Sequence, residues 1–194
     1  EMSCNPAIGG LGKGHLVREI DALGGVMPSA SDFSGIQFRL LNRSKGPAVQ
    51  GPRTQIDRKV YKNYVYNSLV GLKNLSILSE EVSSLVVDNN KIKGVVLSDR
   101  KKIYAKSIIL TTGTFLNGKI HIGDKSFSGG RKGDSASINL ADFLYGLKLP
   151  MGRLKTGTPP RLLAETINWK ELEKQKADIE PVFFSFLTTR INLE

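Results

Sequence analysis

The sequence has one cysteine, Cys4, two histidines, His15 and His121, and one tryptophan, Trp169. A single thiol excludes an intramolecular disulfide and any multi-cysteine zinc site. Two histidines do not make a His-rich metal centre. No stretch reaches the ~18–20 uninterrupted apolar residues of a membrane-spanning helix. A charged n-region followed by an apolar h-region is also lacking, so no signal peptide is visible. Acidic residues are in deficit: 18 Asp and Glu face 28 Lys and Arg, a formal net charge of +10. That excess suits a polyanionic partner such as a nucleic acid or a phosphorylated cofactor, or is simply the charge of a basic soluble protein. With 40% hydrophobic and 24% charged residues among 194, the composition is that of a globular chain and excludes wholesale disorder. The chain opens directly into dense motif and stops at Ile191-Asn192-Leu193-Glu194 without an obvious ending. The expectation is a piece of a longer protein.

What is abundant is glycine, placed in loops. Residues 3–14 form a glycine-rich loop, followed by a helix whose apolar face is Leu16, Val17, Ile20 and Leu23 and which ends at Gly24-Gly25. Residues 34–53 read as irregular, broken by Gly35, Gly46, Pro47, Gly51 and Pro52. A second helix spans about Thr54 to Leu69, with Tyr61 and Tyr64 on its apolar face, and Gly71 stops it. The period then becomes that of strands: Leu75–Leu78, Val82–Val87, Ile92–Leu97 and Lys101–Ala105, with Asp88-Asn89-Asn90 and Ser98-Asp99-Arg100 as turns. This antiparallel meander leads into Ser107–Thr111, which reads as a buried parallel strand. It runs into the sharp turn Thr112-Gly113-Thr114, at the strand end where ligands of open α/β sheets sit. A basic glycine loop follows over 128–134, then a helix from about Ser135 to Tyr145 with Ile138, Ala141, Leu144 and Tyr145 as its stripe. The segment 152–161 is loop, and 168–177 a short charged helix capped by Asn168. The last fifteen residues carry little signature.

Several features point to chemistry, each with a plainer alternative. The loop 3–14 precedes a helix N-terminus, a place that binds anions, but its glycines fit neither the dinucleotide fingerprint nor the P-loop, and a tight turn is the alternative. Cys4 beside that helix, with Lys13 or His15 near, is a candidate nucleophile; a small buried hydrophobe is the alternative. The meander and the strand ending in Thr-Gly-Thr resemble the second half of a flavoprotein domain that binds two dinucleotides; any α/β domain with a hairpin is the alternative. His121 lies in the alternating stretch Lys119–Gly123, where a hydrogen-bonded, partly exposed role is the default. Trp169 and the tyrosines offer stacking surfaces for bases, with core packing expected of Tyr61 and Tyr64.

Five motifs in order, residues 3–25, 35–61, 110–123, 129–134 and 152–162, resemble the MnmG/GidA family of flavin-dependent enzymes of tRNA wobble-uridine modification. The resemblance covers about residues 2 to 186. It implies an α/β fold: a partial FAD-binding Rossmann-like domain of glutathione-reductase type over 1–162, with the β-meander at 82–106 and the first βα unit missing. Residues 163–194 would begin a truncated inserted α/β segment. It implies FAD as cofactor, NADH as its reductant, tRNA as substrate, and a tRNA-modification GTPase as partner in a heterotetramer, with a homodimer at full length. The family reaction takes a one-carbon unit from methylene-tetrahydrofolate and places an aminomethyl or carboxymethylaminomethyl group on uridine C5. Uracil C5 is inert until a nucleophile adds at C6, and Cys4 matches a family cysteine considered for such a role. By the same matching, Val82 and Ser137 fall at FAD-contact positions, beside the turn Thr112, Gly113 and Thr114. Arg39, Arg43, Lys45, Arg53, Arg153, Lys155 and Arg161 are candidate nucleic-acid or cofactor contacts by position and charge. The expected location is the bacterial cytoplasm, or the mitochondrial matrix in a eukaryote, with no membrane association. Without the first βα unit, the isolated chain is expected to bind FAD weakly or not at all and to be inactive. The alternatives are a folate- and FAD-dependent tRNA (uracil-5-)methyltransferase and a non-catalytic remnant of a degraded or split gene.

Overall fold

A computed structural model describes residue 2 and residues 4–192, so Ser3, which opens the first motif, and the outermost limits of the two expected domains lie outside the described residues. The chain divides into two compact units, Glu1–Leu75 with Thr156–Glu194, and Ser76–Lys155. In packing, the residues after 162 belong with the first unit.

The first unit is built on a three-stranded antiparallel sheet in the order β1-β3-β2, from β1 (Ala7–Gly9), β2 (Gly35–Leu41) and β3 (Gly51–Ile56). This corrects the irregular reading of 34–53. The glycines and prolines there end the strands and frame the connection, and the residues between them alternate. Phe38, Thr54 and Ile56 turn inward, and Arg39, Arg53 and Gln55 stay partly exposed. β1 lies inside the stretch 3–14 that reads as a glycine-rich loop, so part of that stretch is strand. Helix α1 (Lys13–Ala22) forms as expected, and Gly24, at φ 74, terminates it. Of its expected apolar face only Val17 is buried, whereas Leu16 and Leu23 are exposed at 59% and 88%. Helix α2 (Val26–Phe33) has no counterpart in the sequence reading. Helix α3 (Arg58–Val70) begins later than expected, because Thr54–Ile56 stay in β3 and the Asp57 carboxylate caps the helix by accepting from Lys59 N at 2.8 Å and Val60 N at 3.0 Å.

The core of this unit is Ile8, Val17, Ile56 and Phe184, with Met2, Met27 and Tyr61 packed against it. Tyr64 meets Phe33 with ring centroids 5.0 Å apart, so both tyrosines pack as expected. The tail that carried little signature thus supplies a fully buried core residue. Asp32, at the end of α2, fixes it: its carboxylate accepts from Phe184 N at 2.9 Å, Ser185 N at 2.8 Å and Thr188 Oγ1 at 2.9 Å. The charged helix expected over 168–177 is reduced to one 3₁₀ turn, Trp169–Glu171, and Asn168 makes no capping bond.

The second unit contains the expected meander: β4 (Val82–Asp88), β5 (Lys91–Leu97) and β6 (Lys102–Tyr104), antiparallel in that order. Asn89 and Asn90 take the turn at φ 48 and 58, left-handed values that asparagine tolerates better than most residues. A hairpin follows, β7 (Lys119–Ile122) with β8 (Lys125–Ser128), and His121 sits exposed on β7. Helix α4 (Ile138–Gly146) packs Leu140 and Leu144 onto Leu85, joined by Val82, Val95, Ile108, Leu116 and Phe143. The buried stripe is Leu140, Ala141 and Leu144, whereas Ile138 and Tyr145 are each 47% exposed, which corrects the expected face. Two expected strands are not formed. Leu75–Leu78 and Ser107–Thr111 are irregular, and Ile109 is 86% exposed. Each lacks a neighbouring strand to take its backbone bonds among the described residues, and without that neighbour an apolar run does not become a strand.

Candidate functional site

In the second unit, the candidate cofactor residues gather at the start of α4. Ser137 occupies the N-cap position and makes no side-chain capping bond. Its backbone N donates to Phe115 O at 2.8 Å, and its carbonyl accepts from Asn117 N at 3.1 Å, so Leu116 and Ser137 form a parallel bridge. Thr114 Oγ1 donates to Gly130 O at 2.7 Å, tying the Thr112-Gly113-Thr114 turn to the basic glycine loop. Gly130 is required by close approach, since an added Cβ would lie 2.1 Å from the Phe115 ring. Gly113 adopts φ 56 and has open space around it. In the same loop Arg131 pairs with Asp134. Val82 is half-buried at the start of β4, packed against the Leu85–Leu140–Leu144 core. Of the five, Thr112, Gly113, Thr114 and Ser137 belong to one bonded assembly, and Val82 belongs to the core beneath α4. Arg153, also in this unit, donates to Asn117 O at 3.2 Å, and Lys155 is exposed.

In the first unit, Cys4 is a free, half-buried thiol at the entry to β1. Its carbonyl accepts from Arg161 Nη2 at 3.3 Å, so the 152–161 motif ends against the candidate nucleophile. The glycine loop that follows is shaped by packing: Gly9 adopts φ 97 and an added Cβ would lie 2.1 Å from Pro52 O. Gly10 N donates to Pro52 O at 2.9 Å and Gly14 N to Gly10 O at 2.7 Å. Two of the loop's N–H groups are therefore spent on the chain itself, which accounts for the glycines as a tight turn.

Three of the candidate basic residues converge. Arg39, Arg43 and Arg53 line a shallow recess of about 570 Å³ on the exposed side of β2 and β3. Lys45 is exposed in the following turn. The other half of the lining was not legible as a site: Gln37, Gln55, Gln175 and Asp178. Asp178 accepts from Leu40 N at 2.6 Å and Arg43 Nη2 at 2.8 Å, and its own N donates to Phe38 O at 2.9 Å, covering the outer edge of β2. Partial burial pushes its carboxyl up, but the hydrogen bonds from Arg43 and Leu40 outweigh that and hold it below the usual range. Asp32 goes the other way, raised by burial despite the bonds it accepts. The crowding of Arg39, Arg43 and Arg53 in one stretch is the signal that pointed to this face, and Asp32 and Asp178 left none, because their partners lie more than 130 residues away in sequence. Among the described residues no cluster of His, Cys, Asp or Glu is arranged to hold a metal ion, and no helix is long and apolar enough to cross a membrane.

The fold and its residues have close counterparts. The family described as Glucose inhibited division protein A matches residues 1–194. A curated protein of Thermodesulfovibrio yellowstonii, named tRNA uridine 5-carboxymethylaminomethyl modification enzyme MnmG, is 53% identical over 192 residues. That alignment covers 99% of this chain and 31% of the relative, so the chain spans about a third of its relative's length. The structure of Aquifex aeolicus GidA matches with a TM-score of 0.88 and 49% identity, over 97% of this chain and 31% of that one. A GidA-related protein from Thermus thermophilus aligns at 15% identity with a TM-score of 0.45, over 71% and 64% of the two chains, too loosely to speak for the fold. The α/β fold with its antiparallel sheets is that of the corresponding part of GidA, and the chain belongs to the GidA family.

Proposed function

We propose that this chain is part of the flavin-dependent enzyme that modifies the wobble uridine of tRNA. The observation that carries the reading is the 53% identity, over 99% of the chain, to a protein named for that modification. No specific observation favours the methyltransferase or the remnant. In the proposed reading, residues 1–162 belong to an FAD-binding domain and 163–194 begin an inserted segment. The residues at the start of α4 suit a polar cofactor edge: Ser137 keeps its hydroxyl free of capping, and Gly113, in the turn tied to the basic glycine loop before α4, has open space around it. Ser137 and the Thr112–Thr114 turn would hold FAD, with Val82 fixing the floor. When bound, the flavin would supply redox and one-carbon-transfer chemistry.

This chain's own part is binding and nucleophilic activation. The Cys4 sulfur would add to uracil C6, which makes C5 nucleophilic toward the one-carbon unit; loss of the C5 proton to a base then restores the C5–C6 double bond and expels the sulfur as thiolate. Arg161 holds the Cys4 backbone in place. Arg39, Arg43, Lys45, Arg53, Arg153 and Lys155 contact tRNA or cofactor phosphates. NADH as reductant, the GTPase partner, the homodimer and a cytoplasmic or mitochondrial-matrix location complete the proposal. The test is mass spectrometry of tRNA nucleosides from cells with the gene disrupted. Loss of the C5-substituted wobble uridine is expected. An unchanged wobble uridine overturns the proposal, and loss of 5-methyluridine alone would favour the methyltransferase.

A further inference from the structure

The exposed face of the β1-β3-β2 sheet carries an ordered square of side chains. Arg39 stands directly opposite Arg53, and Gln37 directly opposite Gln55, across the β2–β3 ladder. Strand alternation puts all four on one face, since Phe38 and Thr54 between them are buried in the other. Like charges directly opposite in an antiparallel pair are unfavourable. The protein does little to neutralise this pair. Asp178 bonds Arg43 and Leu40 N and reaches Arg39 only as a longer-range charge. Arg39 Nη1 donates to the neutral Gln175 Oε1 at 3.2 Å, and the Arg53 side chain has no hydrogen bond or ion pair with a described residue. Three arginines and one carboxylate therefore line an open recess with positive charge left over.

The glutamines add a second kind of group. Gln37 Nε2 donates to Gln175 O at 2.9 Å, and Gln55 Nε2 to Asn5 Oδ1 at 3.4 Å. Each amide is thus oriented by the protein and keeps its Oε1 as an acceptor. Guanidinium forks match phosphate oxygens, and an amide oxygen beside them suits a ribose 2′-hydroxyl, the group that marks RNA. The Gln55–Asn5 contact also places this face next to Cys4 in the chain. We infer that the Arg39–Arg53 and Gln37–Gln55 square is an RNA-backbone site, holding a phosphodiester and its ribose beside the segment that leads from Cys4 into β1. This inference rests on the tRNA reading proposed above.

The test is binding by the full chain of a short uridine-containing single-stranded RNA, the DNA of the same sequence, and ADP, at several salt concentrations. Arg53→Gln is the diagnostic variant and Arg100→Gln, on the β5–β6 turn, the charge control. The expected result for Arg53→Gln is RNA affinity lowered about tenfold, with a salt slope shallower by about 0.7, the share of one phosphate contact on a single strand. Its thermal midpoint should hold or rise, because the like-charge pair is gone, whereas a merely structural arginine would lower it. Gln37→Leu should narrow the preference for RNA over DNA. Unchanged RNA affinity in Arg53→Gln, or an equal loss in Arg100→Gln, overturns the site while leaving the tRNA reading intact. Loss of ADP binding alone overturns it in favour of a dinucleotide. Failure of the unsubstituted protein to bind RNA overturns both.

Discussion

Two carboxylates, inconspicuous in the sequence, hold the tail of the chain to its first unit, and burial makes them differ. Asp32 is 1% exposed and accepts two backbone N–H groups and a hydroxyl. Removing it strands Phe184 N and Ser185 N in an apolar setting, at ~1–3 kcal/mol per orphaned donor. Asp32→Ala should therefore destabilise the first unit by about 3 kcal/mol in urea unfolding and expose 184–188 to proteolysis. Asp32→Asn should not restore full stability, since its NH₂ would face a donor. Asp178 is partly exposed and paired with Arg43, an ion pair weakened by solvent screening. Its folded carboxyl lies below the unfolded value of 3.8, so its stabilising contribution is present above that value and lost as pH falls through the lowered one. The stability gap between the unsubstituted protein and Asp178→Asn should be constant near neutrality and close in acid below pH 3.8. A gap that persists there would mean that the charge does not carry the effect.

At the scale of elements, what was legible depended on whether the signal was local. The β4–β5 hairpin could be read because turn chemistry and alternation agree within a few residues, and the structure adds that both turn residues have positive φ. Glycine at the second turn position relieves that conformation, so Asn90→Gly should raise the stability of the second unit by about 0.5 kcal/mol, read as a shift in its thermal midpoint. The β2–β3 ladder was missed because Gly35, Pro47, Gly51 and Pro52 read as breakers, whereas they bracket the strands. The pairing partner that makes 35–41 a strand lies across a connection the local sequence does not specify. The same limit hid Phe184, whose burial depends on Asp32 at a distance of 152 residues. The helix expected over 168–177 failed for the opposite reason. Its charge pattern suggested a helix, but Gln175 and Asp178 are claimed by the edge of β2. The candidate site was legible as charge, in Arg39, Arg43 and Arg53, and illegible as geometry, because the facing glutamines acquire meaning only through strand register.

On the scale of the whole molecule, the two strands that sequence anticipates and the chain does not form are the informative ones. Ile77 and Leu78 are exposed at 56% and 63%, and Ile109 and Leu110 at 86% and 39%. These are β-branched and apolar runs of the kind that occupy the middle of a parallel sheet, covered on both faces. The relatives are about three times longer than this chain, whose described residues supply neither run with a partner strand. Backbone amides without a partner exchange with solvent, and burying each run's apolar side chains at about 25 cal/mol per Å² stabilises a sheet only when a neighbour exists to complete it. Hydrogen exchange should therefore show 107–111 unprotected in the 194-residue chain and strongly protected in a protein of the length of the relatives, while the β4–β5 ladder is protected in both. Flavin retention, read as an absorbance band near ~450 nm, should appear with that protection, because in the proposed reading the cofactor would bind at the carboxyl end of such a sheet. A stoichiometric flavin band in the 194-residue chain, with 107–111 still exchanging freely, would show that the start of α4 and the Thr112–Thr114 turn hold the cofactor without the strand.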